Sequence, residues 1–288
     1  MKIFISQQSY EIDPLLFAIN QGLVDFKTWE PKASGVLLFS DNPSGLIPKQ
    51  CAIKIARYQT REDDPERDHL EFTETIEGCL YHQINKSVER IKEILSKISI
   101  WTAAGLGTVT YPQEAVWELL VNAVIHRDYS ISDNILVSIY NDRVEIKSPG
   151  KLPGFVTVEN IKDARFSRNK NIVRLINKYV PPPNRDMGEG VNTACQKMKD
   201  WQLKDPEFRE DGNYFIALLP HTPLAEPDQL VLEFVRTNGT ITNRQARELT
   251  GIRSENSVKN VFYRLRDSNK IERVPGLEGN KATWRLKL

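Results

Sequence analysis

Glu118, Asn122 and His126 recur at intervals of four, which sets a carboxylate, a carboxamide and an imidazole along one face of a helix predicted from Pro112 to about His126. Trp117, Leu120, Val121 and Val124 fall on the opposite side as a packing stripe. Arg127-Asp128 come directly after. Such a face can form a ligand-facing wall. An Asn oxygen can complete the octahedral shell of Mg²⁺ beside phosphate oxygens, and a Glu can polarise a water. The same spacing also fits an amphipathic helix with a solvated polar face, and spacing alone leaves both readings open.

Further along, Gly188-Glu-Gly190 precedes a predicted helix that runs to about Trp201. Glycine lets backbone come close, and the helix start would aim free N–H groups at an anion. Taken alone, the triplet more often marks a simple turn before a helix. Between these two helices, Ile135–Tyr140 and Arg143–Lys147 alternate as strands around Asn141-Asp142, a hairpin signal. A helix over about Asn171–Tyr179 stops at Pro181-Pro-Pro183, and Tyr214–Leu219 reads as a closing strand.

The order of these strings carries a resemblance. Glu114 to Tyr129, then Asn141 to Gly150, then Ser167-Arg-Asn169, then Gly188-Glu-Gly190 resemble the RecG-related, or RecG C-terminal-like, ATP-binding proteins. The nucleotide domain of that group is similar to the GHKL (Bergerat-fold) ATPases such as gyrase, histidine kinases and MutL. The resemblance implies ATP and Mg²⁺ as cofactors. It gives Glu118 the role of general base and Asn122 that of Mg²⁺ ligand. His126 and Arg127 fall at phosphate or lid positions, and Arg168 and Asn169 at nucleotide-binding ones. Ser148-Pro149-Gly150 corresponds to the Asp-x-Gly turn that reads the adenine amine, and Gly188 and Gly190 to a lid over about Arg185–Val191. The chain departs from the wider superfamily at Ser148, where an uncharged hydroxyl stands for Asp. No GxxxxGK[ST] string occurs, so a P-loop helicase motor is excluded and turnover would be that of a slow Mg²⁺-dependent ATPase at most.

These motifs need elements to hold them, and the chain divides into three parts. Residues 1–100 mix predicted strands at Gly35–Phe39 and Cys51–Tyr58 with a long helix over Thr73–Ile98. Gly35 to Pro43 and then Ile53–Arg57 are similar to the end of a Schlafen/AlbA-type lobe, with only its C-terminal half present, so a scaffold packed on the downstream domain is the expectation. Residues 101–222 form the GHKL-type domain, entered through a Gly- and Thr-rich connector before Pro112. Three prolines between Pro220 and Pro227 mark a linker into residues 223–288. The fold class is therefore α/β (α+β): a helix-on-sheet sandwich with an α/β lobe before it and a winged helix-turn-helix after it.

In that last part, Asp228 is placed to cap a helix reaching about Thr237, Thr242 a second over Asn243–Leu249, and a third runs from about Ser254 to Ser268. Strands over Ile271–Val274 and Ala282–Leu286 complete the outline of a winged helix. Its third helix would enter the major groove of double-stranded DNA with Arg253, Ser254, Asn256, Ser257, Lys259 and Asn260 nearest the bases. Arg264 would reach a phosphate, and Arg273 and Lys281 would sit on the wing. Paired copies in a homodimer would suit a palindromic site. A protein-interaction module is the alternative.

Composition sets outer limits. Net charge is +1, with 40% hydrophobic and 27% charged residues, an ordinary globular balance. Residues 226–288 carry 12 Lys and Arg against 8 Asp and Glu, so the C-terminal part is at +4 and the remainder at −3. The apolar runs are too short for a membrane helix, so no membrane partner is expected, and three scattered cysteines fit a reduced, cytoplasmic setting without structural zinc. No nucleophile–His–acid set supports ester or peptide hydrolysis. Together the motifs imply an ATP-binding, DNA-binding transcriptional regulator whose nucleotide state modulates DNA or partner binding; a slow ATPase in DNA transactions or assembly and a nucleotide-blind scaffold with a winged-helix interaction module remain the other readings.

Overall fold

The runs Ile53-Lys-Ile55 and Ile135-Leu-Val137, rich in β-branched residues, pair as parallel neighbours inside a six-stranded sheet. The computed structural model describes residues 2–7, 13–47, 49–63, 65–102, 104–183, 190–222, 225–277, 279 and 282–287. In chain order it has α1 (Lys2–Ser6), α2 (Pro14–Asn20), α3 (Ala33–Phe39), α4 (Pro43–Leu46), β1 (Ile53–Tyr58), β2 (Leu70–Ile76) and α5 (Leu80–Leu95). Then come β3 (Ser99–Thr102), β4 (Gly105–Thr108), α6 (Gln113–His126), β5 (Ile135–Ile139), β6 (Arg143–Pro149), α7 (Lys170–Ile176) and α8 (Gly190–Asp200). The chain continues through β7 (Glu207–Asp211), β8 (Tyr214–Pro220), α9 (Pro227–Asn238), β9 (Thr240–Thr242), α10 (Asn243–Thr250), α11 (Glu255–Asp267), β10 (Ile271–Arg273) and β11 (Thr283–Leu286).

The large sheet has the order β2-β1-β5-β6-β8-β7, antiparallel except between β1 and β5. Along β2, half-buried and exposed residues alternate, so one of its faces meets water. Helix α5 lies against β1 and β2, α6 against β6, and α6 packs between α5 and α8. One hydrophobic core joins Phe4 and Leu38 to Ile55, Leu120, Val137, Leu175 and Leu219. No seam in the sheet or this core falls at residue 100, because β1 and β2 continue the sheet that β5, β6 and β8 begin. A mixed α/β architecture is thus observed.

Several local expectations need correction. Gly35–Phe39 is helical, not extended. The contiguous run Val36-Leu37-Leu38 is all buried against α5 and α7, and a short apolar run reads the same in a strand or a buried helix. Thr73–Ile76 belongs to β2, and Gly78, at φ +104°, separates it from α5, so the helix begins at Leu80 rather than Thr73. The stretch after Trp101 is the β3–β4 hairpin, not a plain connector. Strands β7 and β9 lie outside every predicted element. Asp228 sits in the first turn of α9, one residue inside Pro227, with Glu226 at the cap position.

The C-terminal residues build their own core from Leu230, Val231, Phe234, Leu249, Val258, Phe262 and Trp284. Thr242 and Gln245 form a reciprocal capping box at the start of α10, and Ser254 caps α11 through the Ser257 amide. Strands β10, β11 and β9 form a second, three-stranded sheet in that order. Among the described residues, no helix is long and apolar enough to cross a membrane.

Candidate functional site

Buried Leu120, Val121 and Val124 fix α6 in the core, while Leu119, Asn122, Ala123 and His126 line a cavity of about 360 Å³. Ser148 and Gly150 at the end of β6 form another part of its wall, and the start of α8, Gly190-Val191, a third. The loop between β6 and α7 contributes Lys151, Arg165, Phe166 and Ser167. Phe166 meets Phe155 edge to face at 6.2 Å.

Glu118 and Asn122 converge on the N-terminus of α8. A Cβ placed on Gly190 would stand 2.8 Å from a Glu118 carboxylate oxygen and 3.1 Å from the Asn122 amide nitrogen. A side chain at this position would push the ends of both groups aside. The Ser148 hydroxyl donates to the Ala123 carbonyl at 2.9 Å, so its lone pairs are what it offers a ligand.

Gly150 is at φ +105°, and a Cβ there would strike the Arg168 guanidinium and approach the Asp128 Cβ at 2.8 Å. The turn is held by the Asp128 amide donating to the Pro149 carbonyl, and by the Gly150 amide donating to Asn213, both at 2.7 Å. Hydrogen bonds from the Ser130 hydroxyl and amide hold the Asp128 carboxyl below its usual range.

Three predicted ligand residues have structural partners instead. Arg127 is 2% exposed; its guanidinium donates to the Gln50, Ile131 and Asp133 carbonyls and stacks over Tyr129 at 4.7 Å. Its backbone leaves the helix at ψ 155°, which carries the side chain off the Asn122 face. Burial pushes its pKa down. Arg168 donates to the His126 and Lys151 carbonyls, and Asn169 to Ile125 and Arg127. Both therefore satisfy the last carbonyls of α6, which have no partner within the helix. Gly188 and most of the predicted lid, residues 184–189, lie outside the described residues. Phe166 and Arg165 at the cavity wall are not among the predicted site residues. An aromatic and a cation next to the Ser167-Arg-Asn169 motif are the signal that could have pointed to them.

On the C-terminal part, Asn256, Ser257 and Asn260 are exposed along the start of α11. Ser254 is occupied as the N-cap. Lys259 pairs with Glu255 at 2.7 Å, and Arg264 with Asp228 at 2.6 Å. Arg273 is exposed at the end of β10, and Lys281 lies outside the described residues. Arg253 turns away from α11 and pairs with Asp63 and Asp142.

Residues 132–219 match the family model described as "Putative ATP-dependent DNA helicase recG C-terminal". That stretch opens just before β5 and closes within β8. It includes Ser148, Gly150 and Gly190, while α6 with Glu118, Asn122 and His126 precedes it. No curated protein sequence matches the chain. Among solved structures, the chain is similar to the DIP2311 protein from Corynebacterium diphtheriae, with 16% identity and a TM-score of 0.59. The alignment covers 99% of this chain and 60% of that one, so this chain spans less than two thirds of its length. At that identity the likeness shows the fold alone.

Proposed function

We propose that the cavity between α6 and the sheet binds ATP, and that the chain is a DNA-binding regulator of GHKL type whose winged helix takes double-stranded DNA. The observation that carries the nucleotide reading is the start of α8 at Gly190, in contact range of both Glu118 and Asn122 at the cavity edge. A helix N-terminus favours an anion, and a phosphate there would have the Asn122 oxygen and the Glu118 carboxylate beside it. Among the described residues, no cluster of three or more His, Cys, Asp or Glu could hold a metal ion. The donor set suits a Mg²⁺ that arrives with the phosphates, with Asn122 supplying one oxygen. When bound, that ion would neutralise phosphate charge; Glu118 is the residue to orient and deprotonate a water. The matched family's description, with its ATP-dependent DNA helicase, supports both nucleotide and DNA.

Double-stranded DNA is the partner that the exposed Asn256, Ser257 and Asn260 would contact at base edges, with Arg273 near the backbone. A homodimer would present two such helices to one site. The test of the nucleotide reading is thermal unfolding with and without Mg-ATP. Ligand at about 100 times its Kd adds about 2.7 kcal/mol, a rise of a few degrees for a chain of this size. The expected result is a rise that Asn122→Ala abolishes. No rise at millimolar ATP overturns the reading.

A further inference from the structure

Arg253 stands one residue before the cap of α11, where a winged helix would first meet DNA. Here it points at the main body. Its guanidinium lies 2.8 Å from Asp63 and 3.1 Å from Asp142. Those two carboxylates are fixed from the other side. Asp142 also pairs with the buried Arg143 at 2.8 Å, and Asp63 with the same guanidinium at 3.2 Å. Glu145 completes the set around Arg143 at 2.5 Å. The acidic pair is therefore in position whether or not Arg253 arrives.

Other contacts dock the same unit. Arg61 donates to the Arg247 carbonyl of α10 at 3.3 Å, and Trp101 of β3 meets Phe234 of α9 edge to face at 5.6 Å. Asp63 and Asp142 thus present to the foot of α11 two anionic oxygens, the chemistry that a DNA backbone would bring. The +4 charge of the C-terminal part and the −3 of the remainder favour the same closure.

We infer that this docking is self-inhibitory: Asp63 and Asp142 hold Arg253 in place of DNA phosphates, and duplex DNA must displace them to engage the start of α11. The inference rests on the DNA-binding reading above. Asn256, Ser257 and Asn260 remain exposed, so the contact withholds the leading cation and fixes the orientation of the domain rather than covering the whole helix.

The test uses the full chain, a mixed-sequence 20-base-pair duplex at low salt, and two variants that loosen the contact by different chemistry. Asp63→Asn removes one carboxylate whose side chain is 78% exposed, so the fold persists. Trp101→Ala removes the aromatic contact without touching Arg253. An exposed ion pair and a ring contact are each weak, so each variant is expected to bind duplex about two- to five-fold tighter than the wild type. Amide exchange over residues 99–108 should quicken in both, which reports undocking. Faster exchange with unchanged or weaker DNA affinity in both variants overturns the inference. So does unchanged exchange in both. If neither the wild type nor the variants bind duplex, the DNA reading itself fails and the competition with it, while the exchange data still report whether Asp63 holds the domain.

Discussion

Ser148 ties the end of β6 to α6 by donating its hydroxyl hydrogen to the Ala123 carbonyl, 2.9 Å away. The donation fixes what the hydroxyl can do next. With its hydrogen spent inside the protein, Ser148 can accept from an exocyclic amine but cannot donate to a carbonyl oxygen. If the cavity takes a nucleotide as proposed, a purine with an amine at that position would be favoured over one with a carbonyl, even without the charge of an aspartate.

Ser148→Ala should therefore weaken ATP binding and narrow the preference for ATP over GTP. A neutral hydrogen bond is worth about 0.5–1.5 kcal/mol, so the loss in affinity should be about two- to ten-fold. Calorimetric titration of both nucleotides into both proteins reads it. An ATP to GTP ratio unchanged by the substitution would show that Ser148 does not face the base.

Gly190→Ala separates the site from the fold. The added Cβ would meet the tip of Glu118 at 2.8 Å and the Asn122 amide at 3.1 Å, both ends of side chains that can rotate away. Stability should change by less than about 1 kcal/mol, since alanine also favours the helix. Nucleotide binding and any turnover should fall together, because the two residues can yield only by leaving the proposed phosphate position. A variant with normal nucleotide affinity would place the phosphates elsewhere.

The sequence made the framework around this site more legible than the reach of its side chains. Helix α6 was readable because Leu120, Val121 and Val124 form an apolar stripe that burial preserves, and the β5–β6 hairpin because Asn141-Asp142 interrupts two alternating runs. Helix α3 was not, since Val36-Leu-Leu-Phe39 has no period to read and its helical state comes from packing between α5 and α7. Spacing sets Glu118, Asn122 and His126 on one face, of which Asn122 and His126 line the cavity, but it says nothing beyond the helix end. There the backbone of Arg127 turns and delivers its guanidinium to buried carbonyls. Asn169 and Arg168 likewise cap α6, a role set by a contact more than 40 positions away in the chain.

Arg127→Ala tests that reassignment. Its guanidinium is the donor for three backbone carbonyls in the loop after α6 and before β1. Removing it leaves buried acceptors short of partners and an empty volume over Tyr129, at a cost of about 2–4 kcal/mol. Unfolding by urea should show that loss. Nucleotide affinity, measured where the variant is still folded, should stay within about two-fold of the wild type. A selective loss of affinity with stability intact would return Arg127 to the phosphates.

His221 makes stability depend on pH. It is buried next to Tyr111, whose hydroxyl contacts its ring and also donates to the Leu219 carbonyl. Burial, aided by the positive charges of Arg57, Arg61 and Arg143, holds its pKa down to about 3, against an opposing hydrogen bond with the Tyr140 backbone. The folded pKa is thus below the value of 6.5 that the imidazole has in the open chain. Between these values the unfolded chain binds the extra proton and the folded one does not, so stability falls as pH falls through that window. It is fully present above about pH 6.5, and the slope is at most about 1.4 kcal/mol per pH unit for one group. His221→Gln cannot take up that proton, so its stability should fall less steeply from pH 6.5 to pH 4. Urea midpoints for both proteins across that range provide the comparison, and parallel slopes would mean that His221 is already charged in the folded chain.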